Sequence, residues 1–129
     1  MPGHWIVKTE PTTYSHADLV REKRTRWDGV ANPVAIKHLK AMRPGDDVMI
    51  YHTGKEKAVV GLARVVADDP TAGLVTLEAG RPLGRPVTLA EIKADKAFAD
   101  LGLVRMGRLS AMPVAQAQWE RLLTMSSGD

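Results

Sequence analysis

Two segments near the middle of the chain, DVMIYH (47–52) and AVVGLARVVA (58–67), carry apolar residues at consecutive positions and not at every second one. A strand that is apolar on both sides has to be covered on both sides, so these segments read as inner strands of a sheet with packing above and below. Gly61, inside the second run, predicts a bulge or a close approach of another part of the chain.

The flanking segments supply the cover. HWIVKTEP alternates and reads as a strand that ends at Pro11, because proline cannot donate to a ladder. In YSHADLVREK, Ser15 followed three residues later by Asp18 predicts a capped helix start, with Leu19 and Val20 as its apolar stripe. Asn32 before Pro33 predicts a second helix, whose Ala35, Ile36, Leu39 and Met42 repeat at helical spacing. LVTLEA completes an antiparallel hairpin, and GRPLGRPVT reads as loop or edge strand because of its two prolines. LAEIKAD is a short helix, GRLSAMPV a last strand, and AQAQWERLLTM a terminal helix with Trp119, Leu122 and Leu123 on one face. Strands and helices do not alternate, which excludes a doubly wound parallel sheet. The expected fold class is α+β: a mixed, mostly antiparallel sheet curled into a pseudo-barrel with helices packed outside.

The length of 129 residues fits one domain over positions 1–129. Cysteine is absent, and the four histidines lack paired ligand spacing, so neither a disulfide framework nor a metal site is expected. No cofactor motif is present, no apolar run approaches a membrane span, and the N-terminus lacks a signal-peptide pattern. These features predict a cytoplasmic protein, with a monomer as the simpler expectation. Net charge is only +3, but REKRTR concentrates four bases against one acid, and RTRWDGVANP, with Trp27 set among charges, a glycine and a turn, reads as a loop-like segment. Arg21, Lys23, Arg24, Arg26 and Arg108 are candidate phosphate contacts. A solvated helix end explains the same cluster without any ligand.

Conventional catalytic patterns are missing. Ser110, His52 and Asp28 offer a nominal triad. Glu10 and His52, both at strand ends, offer an acid–base pair for an enzyme acting on a nucleotide or RNA. The six aromatic residues divide more usefully. Trp5 and Trp119 lie on periodic faces and read as core, whereas Phe98 has no readable context. Tyr14, Trp27 and Tyr51 each end or interrupt an element beside small or polar neighbours. Rings so placed suit a flat heterocycle, which needs stacking on its face and hydrogen bonds at its edge; they equally suit capping the open ends of a barrel. A pocket for a small anionic metabolite is a further alternative.

WIVKTEP..YS, WDGVANP, DVMIYHTG, VVGLARV and RLSAMPV...QW occur in this order from about Trp5 to Leu123. In this combination the chain resembles the EVE domain family, of PUA-like fold and related to the YTH domains. The resemblance implies a non-catalytic reader of a modified base, chiefly in DNA, with an aromatic-lined pocket. A methylated or hydroxymethylated cytosine or adenine is the implied ligand. It implies Trp27 as a stacking wall, Lys8 and Thr9 at the pocket rim, and the Asp28 carbonyl facing an exocyclic amine. Asn32 is implied at a base edge, although a helix cap explains it equally well, and Tyr51, His52 and Ser110 complete the lining. The sequence departs from the family pattern at Ala31 and Pro33, beside the asparagine. It departs again at Ala115, where a lost threonine cap weakens the last helix start by ~1 kcal/mol.

Overall fold

In a computed structural model, residues 3–27, 32–69 and 74–127 are described. Their elements follow in the order β1 (His4–Thr9), α1 (His16–Glu22), β2 (Arg24–Trp27), α2 (Pro33–Ala41), β3 (Asp47–His52), β4 (Ala58–Asp69), β5 (Leu74–Thr88), α3 (Leu89–Lys93), a 3-10 turn (Lys96–Phe98), α4 (Gly102–Arg105), β6 (Ala111–Pro113) and α5 (Gln116–Met125). The described strands form one six-stranded sheet in the order β2-β5-β4-β3-β1-β6. The pair β1–β3 is parallel and the other pairs are antiparallel. The sheet coils into an open half-barrel with the helices around it, as the residue pattern predicts.

The consecutive apolar runs lie at its centre. In β3, Val48, Met49, Ile50, Tyr51 and His52 are all buried. In β1, neighbours Ile6 and Val7 are both fully buried, so this strand too is covered on each face. Trp119 is core, and its ring meets that of His4 at 4.7 Å. Trp5 packs against the core and donates its indole N–H to Asp46 at 2.9 Å. Asp46 also accepts from the backbone N–H groups of Gly3 and Arg43, at 2.8 and 3.0 Å, and so fixes where β1 enters the sheet.

Gly61 fulfils both of its predicted roles. The β3–β4 and β4–β5 registers shift around it, and a Cβ built there would lie 2.4 Å from the His16 ring. That ring is held in place, with Nε2 bonded to the Leu62 carbonyl at 2.9 Å. A missing side chain on β4 is therefore what allows α1 to dock so closely.

The predicted caps form. Ser15 accepts from the Asp18 N–H while the Asp18 carboxylate accepts from the Ser15 N–H. Asn32 caps α2. Ala115 offers no side-chain cap to α5, leaving only the bond from its N–H to Gln118 Oε1 at 3.2 Å.

Two features depart from expectation, RTRW and the segment before β6, and a third takes one of its two expected forms. RTRW is a strand and not a loop. GRPLGRPVT continues β5 as one 15-residue strand. Beyond Ala79 that strand lacks a described partner strand on one side, because β2 pairs only with Val75–Glu78, and an open edge tolerates residues without an N–H. The segment between α3 and β6 folds into a 3-10 turn and α4, which enclose a fully buried Phe98. Among the described residues, no helix is long and apolar enough to cross a membrane.

Candidate nucleic-acid interface

β2 explains why a tryptophan sits among arginines. In a strand, alternate side chains face opposite ways. Arg24 and Arg26 are exposed, Thr25 is half-buried and Trp27 is only 7% exposed. Trp27 is the last residue of β2, opposite Val75, and belongs to the core. Its ring meets that of Tyr14 edge to face, with centroids 6.1 Å apart and planes at 79°, a favourable aromatic geometry. The sequence reading had Trp27 as an open wall in a loop-like segment; the structure has it buried at a strand end, in contact with a second ring.

Tyr14 connects this ring pair to β1. Its backbone carbonyl accepts from Thr9 Oγ1 at 2.7 Å, and its hydroxyl donates to Glu22 at 2.6 Å. Burial raises the pKa of the Tyr14 phenol, with the Glu22 hydrogen bond acting in the same direction. Asp28 lies outside the described residues. Asn32 is exposed, and its Oδ1 accepts from the N–H groups of Val34 and Ala35 at 2.8 and 3.2 Å. Of its two anticipated roles, capping is the one seen.

The remaining pocket candidates converge with these only in part. Lys8 and Thr9 are consecutive in β1, as are Tyr51 and His52 in β3, so each pair divides between the two faces of the sheet. Lys8 Nζ lies 5.6 Å from the centroid of the Tyr51 ring and donates to the Gly107 carbonyl at 2.8 Å. Burial lowers the pKa of the Lys8 ammonium and raises that of the Tyr51 phenol. Thr9 and His52 face α1 instead. Among the described candidates, Thr9, Tyr14, Trp27 and His52 therefore group on the α1 side while Lys8 and Tyr51 stand on the other, and a single lining of all of them is not what the sheet allows.

His52 has a structural task. Its Nε2 accepts the His16 N–H at 3.0 Å, satisfying a donor in the first turn of α1. Its Nδ1 bonds to Glu56 at 2.7 Å. Both ring nitrogens are engaged, and neither contacts Ser110, so the nominal triad is not assembled. Ser110 contributes its carbonyl, which accepts from the Lys8 N–H at 2.8 Å. Glu10 and His52 share no hydrogen bond among the described residues: the Glu10 carboxylate accepts from Thr12 and Thr53, and the bonds from the Thr12 backbone and hydroxyl lower its pKa.

The basic cluster is partly neutralised. Arg21 pairs with Asp18, and Arg24 with Glu78 at 2.9 Å. Arg26 lines a shallow depression beside Asp68. Lys23 terminates α1 in a left-handed conformation with φ 73°, and Arg108 is exposed. The sequence reading did not single out His16, Lys57 or Lys93. For His16, the available signal was Gly61 and the contact it implies.

The EVE domain family model matches residues 3–125. Human thymocyte nuclear protein 1 is 27% identical, over 97% of this chain and 74% of that protein. Among solved structures, Rpa0253 from Rhodopseudomonas palustris, determined by NMR, is 36% identical, with a TM-score of 0.89 over 97% of this chain and 93% of that one. Human THYN1 in complex with 5-methylcytosine containing DNA is 26% identical, with a TM-score of 0.88 over 98% of this chain and 99% of that one.

Proposed function

Because the chain belongs to the EVE domain family, we propose that it is a DNA-binding module that reads a modified base, with 5-methylcytosine as the ligand to test first. The observation that carries this reading is the likeness, over nearly the full length, to human THYN1 bound to methylcytosine DNA. The base site is assigned to the α1 side of the sheet, at Thr9, Tyr14 and Trp27, with Asp28 and Asn32 carried over from the family pattern alone. Arg21, Lys23, Arg24, Arg26 and Arg108 are assigned to backbone phosphates.

The energetics fit a reader. Taking a base out of its stack costs a few kcal/mol, and stacking on an aromatic ring returns about 1–3 kcal/mol. Trp27 reaches an incoming base by opening its edge contact with Tyr14, since a ring that is 7% exposed has little free surface beforehand. Burying one methyl group contributes roughly 0.8 kcal/mol, which corresponds to about a fourfold preference for the methylated base. The arginines and Lys23 make affinity fall steeply with salt, without favouring any sequence.

The test is a titration of two oligonucleotides that differ by a single methyl group. The wild type should prefer the methylated strand by at least about fourfold. Trp27→Ala removes a core side chain at a cost of about 3–5 kcal/mol, so Trp27→Phe, which keeps an aromatic ring, is the informative variant. It should weaken methylated-strand binding several-fold while remaining folded. Equal affinity of the wild type for both strands contradicts the proposal.

A further inference from the structure

A cleft of about 210 Å³ lies on the Lys8 side of the sheet. Lys8 and Tyr51 enter it from β1 and β3, Lys57 from the turn before β4, and Leu89, Lys93 and Leu103 from α3 and α4. A shallower depression of about 310 Å³ adjoins it and shares Lys57, Leu89 and Lys93. We propose that this cleft is a phosphate-binding site, which takes a phosphate ester through Lys8, Lys57 and Lys93 with its organic part against Leu89, Leu103 and Tyr51.

The charge balance is the first support. Three ammonium groups line the cleft and no carboxylate does. Among the described residues, none of the three lysines forms an ion pair, in contrast to Arg21 and Arg24. Glu56 lines the adjoining depression but is engaged by His52, and Glu10 accepts from Thr12 and Thr53. The Lys8 side chain is half-buried, and the one described hydrogen bond of its ammonium goes to the Gly107 carbonyl. An oxyanion is the partner that such a group lacks.

Backbone placement is the second support. Lys57 adopts φ 47°, a conformation a lysine rarely takes. Its carbonyl accepts the Leu89 N–H at 2.8 Å, which ties the residue to the start of α3 beside Lys93. Two cations from distant parts of the sequence are thereby held at one opening. A volume below the ~300–1,000 Å³ of pockets for drug-sized ligands fits a monophosphate with a small organic part.

Two sources share this chemistry: a phosphomonoester on a small ligand, and a phosphodiester of a nucleic-acid backbone. Neither depends on how Trp27 is used. The experiment titrates the full chain with deoxycytidine 5′-monophosphate, with inorganic phosphate and with an unmodified oligonucleotide at two salt concentrations. The variant is Lys57→Asn combined with Lys93→Gln, because asparagine accepts a positive φ; Lys93→Gln alone is the milder control, and thermal melting verifies the fold. The expected result is at least a tenfold loss of mononucleotide affinity in the double variant, with the methylcytosine preference unchanged. If the mononucleotide does not bind, but the double variant weakens the oligonucleotide at least fivefold and reduces the salt slope by about two, the site takes backbone phosphate and the proposal stands. If the double variant binds every probe as the wild type does, the proposal is overturned.

Discussion

The side chain that most directs this fold is one that is missing. At Gly61 a Cβ would stand 2.4 Å from the ring of His16, and that ring cannot retreat without losing the Leu62 carbonyl. Gly61→Ala is therefore expected to push α1 off the sheet and to destabilise the protein by about 1–3 kcal/mol, the usual cost of overpacking; urea denaturation measures it. Because His16 also donates its N–H to His52 and Tyr14 directly precedes the Ser15 cap of α1, the same variant should disturb the Tyr14–Trp27 contact. A Gly61→Ala protein as stable as the wild type would show that α1 is not seated as described. At this scale the sequence was partly readable. Gly61 stood out as a lone glycine in a valine-rich run. The alternation in RTRW, arginines outward and Trp27 inward, was equally present, but the density of charge made the segment look like a loop. His52 looked like an acid–base candidate because a strand end says nothing about which backbone N–H lies within its reach.

Among the elements, α3 shows how a five-residue helix is held. Thr88 and Glu91 cap it reciprocally, and Arg85 grips Glu91 through two bonds of 2.9 and 2.6 Å. The Arg85 bond is the largest cause of the fall in the Glu91 pKa from 4.5 to about 2, followed by the bond from the Thr88 backbone. A carboxylate whose pKa is lower in the folded state stabilises the fold above its unfolded value, and this contribution is lost as pH falls through the folded one. Acid titration should therefore remove stability between about pH 4.5 and 2. Glu91→Gln should flatten that part of the profile and leave the rest in place. An unchanged slope in the variant would mean that the Arg85–Glu91–Thr88 cluster does not hold the helix. The elements with clear signals, β1, β3, β4, α2 and α5, were legible from apolar periodicity and from capping residues. The run of β5 through Pro82 and Pro86 was legible only as an alternative, because an open edge is a property of the sheet and not of the segment. The 3-10 turn and α4 were not legible, since Phe98 is buried by contacts that no local pattern encodes.

For the molecule as a whole, the sequence pattern was sufficient to predict one curled mixed sheet with helices outside, and the family motifs tied that architecture to base reading. Which residues share a face was harder to read. Lys8 with Thr9, and Tyr51 with His52, are neighbours in sequence and so stand on opposite sides of the sheet, where a contiguous motif suggested one lining. The division gives the protein two distinct regions: a Tyr14–Trp27 pair beside α1, and a lysine-lined cleft beside α3 and α4. Base binding at the first of these is followed through the three indole N–H resonances while a 5-methylcytosine oligonucleotide is added. The Trp27 signal should shift saturably, in step with binding, while those of Trp5, bonded to Asp46, and of Trp119, buried in the core, hold their positions. Saturable binding of the methylated strand with the Trp27 resonance unmoved would contradict this base site.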